Sequence, residues 1–162
     1  MRNSLKIKGI IKVLICVIWL GVIFYNGSRP GEVSQKTSKE VIKVASKVIS
    51  IKTTKIDKSG INFYDINYYV RKNAHFFQYF IFGILLCNAL REFKLYKTSE
   101  IFILLFILLF FPVIDELMQK YIPGRTSNIF DIIIDFSGGL LAVLIVNISY
   151  KLCKSSSPKL QY

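Results

Sequence analysis

Four apolar runs, separated by clusters of charge, constrain this chain more than any other feature. They occupy residues 7–25, 74–90, 101–114 and 129–148. A bilayer-spanning helix needs roughly 20 residues, within a range of about 17–25. The fourth run meets that length outright. The third is short in its strictly apolar part, so its helix is expected to continue through Asp115-Glu116 to Leu117-Met118, with Pro112 as a kink point. The first carries Lys8 and Lys12 near its start, and the second carries His75, Gln78 and Asn88 inside it. The expected fold is all-α: an integral membrane four-helix bundle forming a single membrane domain over residues 1–162.

The abundance of Ile, Leu, Val and Phe excludes disorder for most of the chain. The net charge of +12 is compatible with nucleic acid or anionic lipid. Lysines flank the apolar runs, and no helix-turn-helix, zinc-finger or aromatic RNA-binding spacing accompanies them, so the bilayer is the expected partner and nucleic acid is not. A disulfide framework is excluded, because Cys16 and Cys87 lie inside apolar runs and Cys153 follows the last one. The first run has a basic start like a signal peptide, but no small-x-small cleavage pattern follows it, and Leu14-Ile15 before Cys16 offers no lipoprotein site. A retained helix is expected.

The stretch 26–73 is polar but patterned. Val41, Val44, Ala45, Val48 and Ile49 recur at helical spacing, with Lys36, Lys39, Lys43 and Lys47 mostly opposite. This reads as a basic amphipathic helix in the long first extracytoplasmic loop, lying either on the membrane surface or against the bundle. A Lys-rich segment with Gly60 and Tyr68-Tyr69 leads on to Arg71-Lys72. Four spans put both termini on one side. That side carries Arg2, Lys6, Lys8, the short loop with Arg91, Lys94 and Lys97, and a basic tail over 149–162. The positive-inside bias of short loops makes it the cytoplasmic side of a multi-pass cell-membrane protein.

Ionisable groups at membrane depth cost about 2.5–3.5 kcal/mol each on insertion scales, so their spacing is informative. Arg71, His75 and Tyr79 are four residues apart and share a helix face. His75 is the sole histidine; such a residue is often a hydrogen-bonded packing group, but here it starts an apolar span on a polar stripe. Asp115 and Glu116 end the third run, with Gln119 at i+4 and i+3. Adjacent helical residues diverge by about 100°, so they cannot share a partner, and one of the two is expected to be solvated. Pro123-Gly124-Arg125 fits a type II turn. Taken alone, Arg125 fits a loop arginine snorkelling to lipid phosphate. Asp131 and Asp135 occupy one face of the fourth span, and Gly138 and Ala142 continue that face for close helix packing. Salt bridges from these acids to Arg71, Arg125 or His75 and a functional site are equally compatible with the pattern. Up-down topology brings all these groups to the membrane face opposite the termini.

Arg71-Lys72-x-Ala74-His75-Phe76-x-x-Tyr79-x-x-x-Gly83, Asp115-Glu116-x-x-Gln119-x-x-x-Pro123-Gly124-Arg125 and Asp131-x-x-x-Asp135-x-x-Gly138 together resemble the three blocks of the VanZ-like family. Phe24-Tyr25-Asn26-Gly27-Ser28, followed by Ser34 and Ser38, is more weakly similar to the polar stretch after that family's first span. The resemblance covers about residues 19–146 and departs from the family pattern at Phe82, where Leu is frequent, and at Asp135, where Asn is frequent. It implies a small bacterial envelope protein associated with resistance to teicoplanin, a lipid-bearing glycopeptide.

Two functions follow as expectations. In the first, an outer-face polar cluster binds a lipid or cell-wall-precursor headgroup, or alters glycopeptide access. Its ligand-binding candidates are Arg71, His75, Tyr79, Glu116, Gln119, Arg125, Asp131 and Asp135. In the second, the chain is a membrane-embedded enzyme acting on a lipid-linked phosphate or sugar, with His75, Glu116 and Asp131 as catalytic candidates. In that reading Asp131, Asp135 and Glu116 offer oxygens to a divalent cation. The sequence itself assigns no metal and no cofactor. A proton or ion path along Asp131 and Asp135 is the least favoured reading, because the charges gather at one end of the span.

Overall fold

The computed structural model describes residues 2–49 and 63–155. Five α-helices and one 3₁₀ turn account for nearly all of them: α1 (Arg2–Ser28), α2 (Gly31–Ile49), α3 (Phe63–Leu90), the turn Arg91–Phe93, α4 (Lys97–Gln119) and α5 (Ile129–Ser155). Four helices contain segments long and apolar enough to cross a membrane: Ile7–Ser28, Tyr68–Phe93, Lys97–Gln119 and Ile129–Cys153. The chain is an all-α, multi-pass membrane bundle. The segments run longer than the apolar runs that mark them. Arg71 and Lys72 are part of α3, α4 continues unbroken through Pro112 and the acidic pair, and α5 extends to Ser155. The first half of the expected tail is therefore helical, whereas residues 156–162, and the loop glycine Gly60, lie outside the described residues.

The main helix pair is α3 with α5, and small residues set its spacing. A Cβ at Gly138 would run into the Phe76 carbonyl of α3. One at Gly83 would lie 2.8 Å from the Cβ of Ala142. Lipid tails are as apolar as Leu, so helices in a membrane associate through close backbone approach of this kind. Tyr79, Phe82, Leu86, Leu108 and Ile23 fill the space where α1, α3 and α4 meet. Trp19 of α1 donates its indole N–H to the Gln78 carbonyl of α3 at 2.9 Å.

The bundle's terminus end is fastened at its edge. Lys12 pairs with Glu92, Arg91 donates to Asn147 Oδ1 at 2.9 Å, and its guanidinium lies 4.7 Å from the Tyr150 ring centre. The opposite end is built on the turn 122–125. The Arg125 N–H donates to the Ile122 carbonyl at 3.1 Å, and Gly124 has φ +73°, as the third position of a type II turn requires.

That turn also receives α2. The Gly31 N–H donates to the Pro123 carbonyl at 3.0 Å, and a Cβ at Gly31 would collide with the Gly124 carbonyl. The buried edge of α2 accordingly runs through Gly31, Ser38 and Ile42, not through Val41 and Val44, while the side chains of Ala45, Lys47, Val48 and Ile49 lie outside the described residues. Val41 and Val44 are 53% and 65% exposed, beside that edge, with Lys36, Lys39 and Lys43 exposed on the far side. Helix α2 thus packs on the bundle along one edge and leaves an apolar strip open next to it.

Candidate functional site

Arg125 organises the loop end. Its Nη2 donates to the Asn26 carbonyl at 2.8 Å, its Nε to the Arg29 carbonyl at 3.1 Å, and its Nη1 to Gln119 Oε1 at 3.1 Å. The last carbonyls of a helix have no partner within the helix, and a cation there also meets the negative end of the dipole. Arg125 therefore caps α1 and ties it to α4. Three of its five N–H donors are used in this way. Burial pushes its pKa below the ordinary arginine value, and the nearby Arg71 adds to that shift while Asp115 and Glu116 oppose it.

Glu116 performs a parallel task for α5. Its Oε2 accepts the Asn128 N–H at 2.8 Å, and Asn128 Oδ1 accepts the Phe130 N–H at 3.0 Å, an N-cap that starts the helix. Asp131, in the first turn, pairs with Lys72 of α3. The sequence names Arg71, Arg125 and His75 as partners for the two aspartates of α5. His75 does face one of them, but Lys72 takes the other.

The acidic pair of α4 also differs from expectation. Neither carboxylate is solvated: Asp115 and Glu116 are each only 1% exposed. They diverge as adjacent helical residues must. Asp115 Oδ2 accepts from Gln119 Nε2 at 3.1 Å, so the amide that spacing leaves undecided belongs to Asp115. Its other oxygen points toward Gly27 of α1, where a Cβ would collide with it. Asp115, absent from the sequence-derived candidates, joins two that were among them. His75 Nδ1 lies 3.5 Å from Asp135 Oδ2, and one ligand atom each from His75, Asp115 and Asp135 fall within 4.8 Å of one another. Tyr79 is fully buried beside them, with no hydrogen-bond partner for its hydroxyl among the described residues.

A cavity of about 250 Å³ opens on the other side of His75, between the end of α1, the start of α2 and α3. Arg29, Arg71 and Arg125 line it together with Ser34, Thr37, Ser38, Asn26 and Gln78, and no carboxylate among the described residues does. A smaller cavity of about 100 Å³ is lined by Arg71, Lys72, His75, Asn128 and Asp131. Arg71 and His75 stand between the two. Of the sequence-derived candidates, Arg71, His75 and Arg125 face the larger space and Asp131 the smaller one. Tyr79, Glu116, Gln119 and Asp135 are packed behind them. Arg29 and the α2 hydroxyls are not among the sequence-derived site candidates, Ser34 and Ser38 entering only through the weaker resemblance, because only the docking of α2 on the turn brings them to α3.

A four-helix membrane bundle whose loop end buries acids behind an arginine-lined cavity is the class of protein these features define. The VanZ/LLP1 family model matches residues 12–150, and the chain belongs to that family. No curated protein and no solved structure matches it.

Proposed function

We propose that the chain binds an anionic lipid or cell-wall-precursor headgroup at the outer face of the cell membrane, and so contributes to protection against glycopeptides such as teicoplanin. One observation carries this reading: three arginines and three hydroxyls line one cavity, and no described carboxylate lines it with them. Arg71 is close enough to Arg125 to disfavour its charge, and an anion between the two would relieve that repulsion. Planar guanidinium forks and hydroxyl donors suit phosphate oxygens. The volume lies just under the ~300–1,000 Å³ of ligand pockets, enough for a headgroup rather than a whole lipid.

The chain acts as one membrane domain with cytoplasmic termini and a basic C-terminal tail. The short-loop arginine and lysines Arg91, Lys94 and Lys97 at the terminus end support that orientation. Lysines on the exposed side of α2 add about 1 kcal/mol each of attraction to an anionic surface. The exposed valine strip of α2 lies at the same end and suits the acyl boundary.

The test is teicoplanin susceptibility of cells carrying the chain or its variants at matched protein levels. Arg71→Gln, which leaves the α1 cap intact, is expected to abolish protection, and unchanged protection would overturn the reading. His75→Gln separates the rival enzyme, in which His75 moves a proton. Headgroup binding retains most protection in that variant, whereas an enzyme loses it and leaves an altered lipid-linked species in lipid extracts.

A further inference from the structure

The acids behind His75 do not belong to the arginine-lined cavity, and their own charge balance is incomplete. Asp135 is fully buried, and apart from His75 Nδ1 at 3.5 Å from its Oδ2 neither of its oxygens has a hydrogen-bond partner among the described residues. Asp115 is 1% exposed, and its Oδ1 has none either. Glu116, equally buried, acts electrostatically on both of them and leaves its Oε1 unpartnered. Among the described cations of this end, Arg29, Arg71 and Arg125 line the arginine cavity, and none of them forms an ion pair with these acids. Lys72 pairs with Asp131, and Arg125 spends its bonds on two carbonyls and Gln119. Buried carboxylates without partners are among the most costly groups a fold can carry. In membrane proteins such groups pair, coordinate a cation or serve a function.

We propose that His75, Asp115 and Asp135 form a binding site for a divalent metal ion of the zinc or manganese type. One imidazole and two carboxylates offer the mixed nitrogen and oxygen ligands these ions take. The three donor atoms already lie within 4.8 Å of one another. Ligands bound at about 2.0–2.2 Å stand roughly 3–4 Å apart, so side-chain adjustments of about 1 Å close the set. The donors come from three helices: α3, α4 and α5. Their approach is fixed by the Gly138–Phe76 contact and by Gln119 holding Asp115 Oδ2. Gln119 therefore orients one ligand in the way outer partners of metal sites do. Two positive charges on the ion would offset the two aspartates. His75 borders the arginine-lined cavity, so a free coordination position on that side would face it. The site stands apart from the headgroup reading, because the arginines can hold an anion with or without an ion behind His75.

The experiment uses the full chain, purified in detergent without chelator, and measures bound metals by elemental analysis. The chain is then stripped with a chelator and titrated separately with Zn²⁺ and Mn²⁺, following heat released and thermal midpoint; Mn²⁺ spin resonance reports its ligands directly. The expected result is about one equivalent of one of these ions per chain, with a rise in thermal midpoint on rebinding. Asp135→Asn and Asp115→Asn weaken binding about 100-fold or more, whereas Asp131→Asn, outside the three, retains it. Size-exclusion profiles identify any variant that fails to fold, and His75→Gln supplies a third independent ligand removal. Two results overturn the proposal. One is a wild-type chain that neither retains nor rebinds either ion, the buried acids then sharing protons. The other is binding that all three ligand variants leave unchanged, which puts the metal elsewhere.

Discussion

The two ends of this bundle treat charge in opposite ways. At the terminus end, charged side chains sit at the edge and find partners. Lys12 and Glu92 pair with side chains 39% and 22% exposed, and Arg91 reaches Asn147 and the ring of Tyr150. At the loop end, Asp115, Glu116 and Asp135 are taken out of solvent and left with oxygens that no described residue hydrogen-bonds. The first arrangement holds helices together and costs little. The second destabilises the fold unless something else completes it. Where local rules of polar satisfaction fail in an otherwise consistent structure, a functional site is the usual cause.

Breaking the loop end outright takes only one side chain in the α3–α5 seam. Gly138→Leu puts a branched group where a Cβ already meets the Phe76 carbonyl. The helices must part, and His75 moves away from Asp135. The expected loss is about 3 kcal/mol or more, read as the unfolding midpoint in detergent. Gly21, with nothing within 4 Å of its Cβ position, is the matched control, and Gly21→Ala should leave that midpoint almost unchanged.

How much of this was legible without coordinates depended on whether the signal was local. The spans, the type II turn at Pro123-Gly124 and the small-residue face at Gly138 and Ala142 each depend on residues close in sequence, and they were readable. The packed edge of α2 was not. Hydrophobicity favours Val41 and Val44, but the edge is chosen by Gly31, which must fit against the Gly124 carbonyl more than 90 residues away. The acidic pair was ambiguous for a similar reason. Gln119 stands i+4 from Asp115 and i+3 from Glu116, and only the direction of α1 and of the Asn128 amide divides the two. Arg71 drew attention as the partner for α5, while its neighbour Lys72, one residue on and turned by about 100°, makes the pair.

The next largest effect belongs to Arg125. Replacing it with Met keeps much of its length but removes the donors to the Asn26 and Arg29 carbonyls and to Gln119. Hydrogen bonds to a charged group contribute about 1.5–3 kcal/mol, so a loss of about 2 kcal/mol is expected, with earlier hydrogen exchange at the end of α1. An unchanged exchange pattern there would show that Arg125 serves the cavity and not the cap.

Asp135 sharpens the contrast between the ends, because its substitution should act in the opposite sense. In the presence of chelator, Asp135→Asn removes a buried charge and keeps the shape. It is expected to stabilise the bundle by about 1–2 kcal/mol. Stabilisation together with lost function is the signature of a group retained for its activity. Destabilisation under chelator would mean that the His75–Asp135 contact itself supports the fold.

The smallest effect is expected at the other end, at Lys12–Glu92. Lys12→Met removes an ion pair that remains partly open to water, and its Nζ also lies 3.4 Å from the Asn88 carbonyl. Pairs of this kind contribute about 0–1 kcal/mol and are screened by salt. The loss should therefore stay below about 1 kcal/mol and shrink further in high salt, measured as the change in unfolding midpoint. The double substitution Lys12→Met with Glu92→Gln then gives the coupling between the two residues. A salt-insensitive coupling above about 2 kcal/mol would mean that this pair is desolvated as strongly as the acids of the loop end. The two ends would then differ only in whether a partner is present, and not in their access to water.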